Sequence, residues 1–181
     1  MDQRILKTQQ AIQSAFLQLR REKLPEKITV TELSRLAKIS KATFYLHYRD
    51  IFDLSEKMQT ALINEALDQV DISASIIERF PDFARDLTAI MDRYNSLLSI
   101  LFSGSYSVLI PTLLENHIRE RIWEHSPELK EDLELSIRLT YHIQGSYHAY
   151  LRHARHADMH RILDIIHDIH DETNMHTADI P

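Results

Sequence analysis

The chain has no cysteine and only two glycines, Gly104 and Gly145, among its 181 residues. Without cysteine there can be no disulfide framework, thiolate nucleophile or cysteine-ligated zinc or iron–sulfur centre. Two glycines are too few for Gly-rich phosphate loops or dinucleotide fingerprints, which cluster glycines to let the backbone turn and approach a ligand closely. They also speak against a β-rich fold, because hairpin turns depend on glycine. Long apolar runs are missing as well. Stretches such as 97–98 and 108–110 fall far short of a membrane span. No signal peptide precedes the first charges, so a cytoplasmic location without membrane partners is expected. There are no internal repeats and no low-complexity tracts. Ser-His-Asp and paired-carboxylate arrangements do not rise above the background of so charged a chain, so neither an enzyme nor a cofactor is expected.

What remains is ordinary for a globular protein: 44% hydrophobic and 27% charged residues. The charge is unevenly spread. The net value of −6 conceals a basic N-terminal part, in which residues 1–50 hold 10 Lys/Arg and 5 Asp/Glu. Residues 51–181 hold 11 Lys/Arg and 22 Asp/Glu. A basic end on an acidic body is the asymmetry expected when only that end meets phosphate.

The periodicity is helical throughout. Ile5, Ile12, Phe16 and Leu19 form one stripe of a first helix from Arg4 to about Glu22, with Arg4, Lys7, Arg20 and Arg21 mostly off it. Leu24-Pro25-Glu26 ends that helix. Thr29-Val30-Thr31-Glu32 reads as a capping box, in which Thr29 accepts from the Glu32 amide and Glu32 reaches back to Thr29. The short helix it opens runs to about Ala37. Ser40 then caps a third helix from Lys41 to Tyr48, and Asp50 caps a fourth carrying Ile51, Leu54, Met58, Leu62 and Ala66. Two short helices joined by three residues and flanked by longer ones are the parts of a helix-turn-helix. Beyond residue 73 the pattern predicts long helices over 81–102, 111–124, 128–153 and 159–171, with a frayed end.

Thr29-Val30-Thr31-Glu32-Leu33, followed by Ile39-Ser40-Lys41-Ala42-Thr43-Phe44-Tyr45-Leu46-His47-Tyr48, resembles the DNA-binding head of TetR-type transcriptional regulators. The resemblance covers roughly residues 4–70, and the Tyr-Leu-His-Tyr variant is similar to the branch related to dihydroxyacetone-kinase operon regulators. It implies an all-α fold: an N-terminal three-helix helix-turn-helix head, 1–50, a connecting helix, 50–72, and a helical ligand-binding and dimerisation domain, 73–181. Two positions depart from the family. Lys38 stands where a turn glycine is usual, so either it tolerates a left-handed backbone or the turn differs slightly. Ala42 replaces a frequent glycine, and its methyl suits contact with a thymine methyl.

Phe44 and Tyr48, four apart, are assigned to the core of the head. Lys41, Ala42, Thr43, Tyr45, Leu46 and His47 are then turned wholly or partly outward. By the resemblance, Thr29, Thr31 and Ser40 clamp phosphates of double-stranded DNA, Tyr45, His47 and Arg49 bind its backbone, and Lys41, Ala42 and Thr43 face base edges. For Thr29 and Ser40, capping alone is the simpler role, and the two roles are compatible. One short helix spans few base pairs, so a regulator of this kind needs two heads about 34 Å or more apart on a two-fold axis. Leu139, Ile143, Tyr147, Tyr150 and Leu151, with Ile162, Ile166 and Ile169, are the expected homodimer surface; packing within one subunit is the alternative, and the resemblance tips the balance toward the dimer. The resemblance also implies a pocket for a small-molecule effector, with Tyr94, Phe102, Tyr106, Trp123, Tyr141 and Tyr147 as candidate lining, or regulation by a partner protein.

Eleven histidines, eight of them from His142 onward, suggest a competing reading. His156, His160, Asp164 and His167 share one helical face if no break intervenes, and two histidines at i, i+4 are a metal-ligand spacing. A metal-binding helical enzyme is therefore the alternative. A break expected near residues 157–158 and the acidic surroundings favour a solvated polar face instead, and no metal is assigned.

Overall fold

The structure is a computed structural model and describes residues 3–72, 79–153, 158, 161, 162 and 164–169. Among them there are α-helices, short 3-10 turns and no strand, so the fold is all-α. The chain forms two compact units. One comprises residues 1–62 and 95–107, the other residues 63–94 and 108–181. No single helix among the described residues is long and apolar enough to cross a membrane.

In the first unit, α1 (Gln3–Arg20) is followed by a 3-10 turn at Pro25–Lys27, α2 (Val30–Leu36), α3 (Lys41–Tyr45) and the start of α4 (Ile51–Leu67). Ile12, Phe16, Leu33, Phe44 and Leu54 form its core. Ile5, the first member of the predicted stripe, is exposed, because α1 begins before the other helices can cover it. The four residues between α2 and α3, 37–40, hold Lys38 at φ 56, the left-handed region that its glycine-like position demands. α3 is shorter than expected: it ends at Tyr45, and the Tyr48 amide still donates to the Phe44 carbonyl at 3.0 Å.

The predicted helix over 81–102 is two helices, α5 (Phe80–Arg93) and α6 (Asn95–Leu101). Neither glycine nor proline marks that break. Side-chain anchors do. Tyr94 Oη accepts from Gln69 Nε2 at 2.7 Å and donates to Glu65 at 3.1 Å within the second unit. In the first unit the Leu101 carbonyl accepts from Arg20 of α1 at 3.3 Å and from Gln59 of α4 at 2.8 Å. Gly104, at φ 66, then turns the chain where an added Cβ would lie 3.2 Å from Leu24.

The second unit contains the end of α4, α5, α7 (Leu109–His125) and α8 (Leu133–His153) around Ile63, Leu67, Phe80, Ile118, Ile122 and Leu139. The expected helix from Glu128 starts later. Residues Pro127–Glu131 form a 3-10 turn, and the Asp132 side chain accepts from the Leu135 amide at 2.9 Å, opening α8. Residues 161, 162 and 164–169 are helical.

Candidate nucleic-acid interface

The geometry of the helix-turn-helix follows from its caps. Thr29 sits in extended backbone and accepts from the Glu32 amide at 3.2 Å, fixing the start of α2. The return half of the capping box is not made: Glu32 instead accepts from Lys23 Nζ at 2.6 Å, because that lysine brings a charge while the Thr29 amide offers only a neutral donor. Ser40 accepts from the Thr43 amide at 3.0 Å, and the two hydroxyls lie 2.8 Å apart. Asp50 caps α4 by accepting from the Asp53 amide at 2.8 Å.

With α3 so oriented, Phe44 and Tyr48 are buried and their neighbours are not. Tyr45 is 57% exposed and Leu46 83% exposed. Thr29, Thr31, Ser40, Lys41, Ala42 and Arg49 are exposed, while Thr43 and His47 are half-buried. All ten predicted contact residues thus belong to the first unit and none is buried. An edge-to-face contact with Phe44, centroids 5.5 Å apart, supports the outward Tyr45 ring. An exposed Tyr-Leu pair beside a lysine matches what a major groove offers: phosphate acceptors and thymine methyls.

Two features escaped the sequence reading. Arg20, placed off the apolar stripe, is only 3% exposed. Its Nη1 donates to the Lys23 carbonyl at 2.8 Å, its Nη2 to Ser103 at 2.9 Å, and its carbon lies 5.7 Å from the Tyr106 ring centroid. Burial lowers the pKa of this guanidinium, while Tyr106 and Glu26 act in the opposite sense. The other is Asp53, a buried carboxylate that holds Arg49 and Lys57 together. The spacing of Arg49, Asp53 and Lys57, four by four, was the available signal for it.

The expected effector residues are divided between the units. Phe102, buried, and Tyr106 belong to the first; Tyr94, Trp123, Tyr141 and Tyr147 belong to the second. Tyr141 is exposed, and Lys130 Nζ lies 5.8 Å from the Trp123 ring centroid. Burial, then the neighbouring Tyr150, pushes the Tyr147 phenol up to about 12. A cleft of about 290 Å³ in the first unit is lined by Arg20, Arg21, Ser99 and Ser103 among others, and by none of those six aromatics.

The expected dimer surface needs correction. Leu139, Ile143, Ile162 and Ile166 are buried within the chain, and Tyr147 and Tyr150 are half-buried. Leu151 and Ile169 are exposed, and so are Leu133, Ile137, Tyr141 and Ile165, which were not expected to be. α8 carries two apolar stripes, and it is the one through Leu139 and Ile143 that packs inward. Of the metal candidates, His156 and His160 lie outside the described residues, while His167 contacts Arg85. Among the described residues no group of three His, Asp or Glu is placed to hold a metal.

Over 76 residues the chain is 34% identical to YxbF, an uncharacterized HTH-type transcriptional regulator of Bacillus subtilis (strain 168). That stretch is 41% of this chain and 20% of YxbF, so the chain matches about a fifth of the length of this curated relative. No family model matches the sequence. No solved structure matches it either.

Proposed function

We propose that the chain is a sequence-specific DNA-binding regulator of the TetR type, a repressor that binds a palindromic operator as a homodimer. The observation that carries this reading is the exposed face of α3 and its end: Lys41, Ala42, Tyr45 and Leu46 stand outward, and Thr29 and Ser40, which cap α2 and α3, are themselves exposed hydroxyls. Polar caps of this kind satisfy helix amides and leave oxygen and amide donors facing a phosphate backbone. The basic balance of residues 1–50 supplies the long-range attraction. The likeness to a helix-turn-helix regulator supports the same reading. A small-molecule effector or partner protein that favours a wrongly spaced dimer would release the operator.

The dimer surface in this reading is the outer stripe of α8: Leu133, Ile137 and Tyr141, continued by Gly145, whose missing Cβ faces open space, and His148. The N-terminal end of this region carries Glu128, Glu131, Asp132 and Glu134 against Lys130 and Arg138, a net negative balance, and its C-terminal end carries Arg152 and His153. Two copies crossing antiparallel at Tyr141–Gly145 would set the acidic end of each against the basic end of the other. Ile137→Asp should convert the dimer to monomer in sedimentation equilibrium without loss of helicity; a monomeric wild-type chain would refute this assignment.

The functional test is anisotropy or gel shift of the full chain against the intergenic DNA upstream of its gene at several salt concentrations. Affinity should decline steeply with salt. Tyr45→Ala and Lys41→Ala should weaken it strongly with circular dichroism unchanged, and unchanged binding in both variants would refute the DNA-binding reading.

A further inference from the structure

Asp53 lies in the first turn of α4, with its side chain only 6% exposed. It is bound by two cations that lie in water. Arg49, 81% exposed, reaches Oδ1 through Nη2 at 3.2 Å and Nε at 3.3 Å. Lys57, 55% exposed, reaches Oδ2 at 3.0 Å. Oδ2 also accepts the Arg49 backbone amide at 3.0 Å, so the same carboxylate fixes the backbone from which that side chain springs. Lys57 Nζ donates to the His47 carbonyl at 3.4 Å and lies 5.2 Å from the Tyr48 ring centroid. It therefore stands at the exit of α3, among residues already read as backbone contacts. An ion pair that served stability alone would gain little from such exposed partners. Here the anion is inside and the cations are outside. One carboxylate against two cations leaves a net positive charge, and both cations keep N–H donors that these bonds do not use.

We propose that Asp53 is a positioning residue that holds Arg49 and Lys57 as a paired clamp for DNA phosphates beside α3. This rests on the reading of the first unit as a DNA-binding head, and it adds Lys57 to the contacts expected there. The benefit is prior ordering: two long side chains, each rich in rotamers, are already fixed before the phosphate arrives. Simple charge counting predicts the opposite effect for Asp53, since a negative group near DNA should repel it.

The opposition of signs makes the test sharp. Binding of the full chain to a labelled duplex of mixed sequence is measured by anisotropy over a range of sodium chloride concentrations. Backbone contacts are independent of sequence, so no operator is needed. Asp53→Asn should weaken binding although it makes the protein more positive, and Asp53→Glu should restore part of the loss. Lys57→Gln should flatten the log–log salt dependence by about 1, so that a rise in salt of about fourfold costs the variant about fourfold less affinity than the wild type. Lys57 is exposed, so this variant carries the test if Asp53→Asn does not fold. Wild-type binding with equal or tighter binding by Asp53→Asn overturns the proposal, as does an unchanged slope in Lys57→Gln. A wild-type chain that shows no salt-dependent binding overturns the head reading itself and this proposal with it.

Discussion

Asp53 in the first unit and Glu115 in the second are both buried carboxylates, each four residues from an arginine, and they dispose of that arginine differently. Arg49 stays in water. Arg119 is drawn in to 15% exposure and spends its donors on Glu115 at 2.8 Å, on Ser136 at 2.7 Å and on Thr140 at 2.9 Å. Thr140 and Gln144 complete the ring, donating to Glu115 at 2.6 and 3.0 Å. Burial pushes the Glu115 carboxyl up, but the bonds from Thr140, Gln144 and Arg119 outweigh it and hold the group below the usual carboxylate range. Asp53 reaches the same condition by a different route, through the Arg49 amide and the Lys57 ammonium. The same i, i+4 pair is therefore a closed fastening between α7 and α8 in one unit and an open presentation of charge in the other. What separates the two is where the cation ends.

The largest expected effect tests the closed case. Glu115→Ala leaves Arg119 buried without its counter-ion and should cost about 3–5 kcal/mol of unfolding free energy in urea. Asp53→Asn should cost much less, because its cations return to water. Similar losses in the two variants would erase the distinction drawn here.

The next effect concerns pH and belongs to the second unit. Burial against Phe80, with centroids 4.5 Å apart, and then the nearby Arg138 lower the His142 imidazole to about 4 from an ordinary 6.5. The folded form thus binds its proton less readily than the unfolded form. Stability from this group is complete above the unfolded value and is lost as pH falls toward 4, by at most about 3 kcal/mol. Denaturation midpoints measured across that window should fall in the wild type and fall less in His142→Phe.

Smaller effects sharpen the open case. Lys41→Ala should lose about 1–3 kcal/mol of DNA-binding free energy, the scale of one base-edge contact, with no change in melting temperature. Ser40→Ala should do both kinds of damage, costing about 1 kcal/mol of stability through its lost cap and weakening DNA binding as well. Stability loss without any change in affinity would leave Ser40 as a cap only.

Local chemistry was legible in the sequence, and tertiary choice was not. The caps at Thr29, Ser40 and Asp50 were readable because a hydroxyl or carboxylate before an apolar period has few other uses. The inward turn of Phe44 and Tyr48 followed from their spacing of four, whereas the position of Lys38 left open a left-handed backbone or a changed turn, and the backbone is left-handed. Periodicity cannot say which of two apolar stripes on α8 faces its own unit, so Leu139 and Ile143 were assigned outward. Nor does it register a break at Tyr94 that depends on anchors at Glu65 and Gln69, or the burial of Arg20 against the Leu101 carbonyl and the Ser103 hydroxyl some eighty positions away.

Residues 95–107 complete the unit that begins at the N-terminus, and this limits how the protein can be dissected. A fragment ending at residue 62 would keep every residue of the proposed DNA contact yet leave Arg20 and Gln59 without the Leu101 carbonyl and Ser103 that receive them. Transplanting the first 62 residues as a simple N-terminal cassette would sever that join, whereas a chimera carrying both stretches would preserve it.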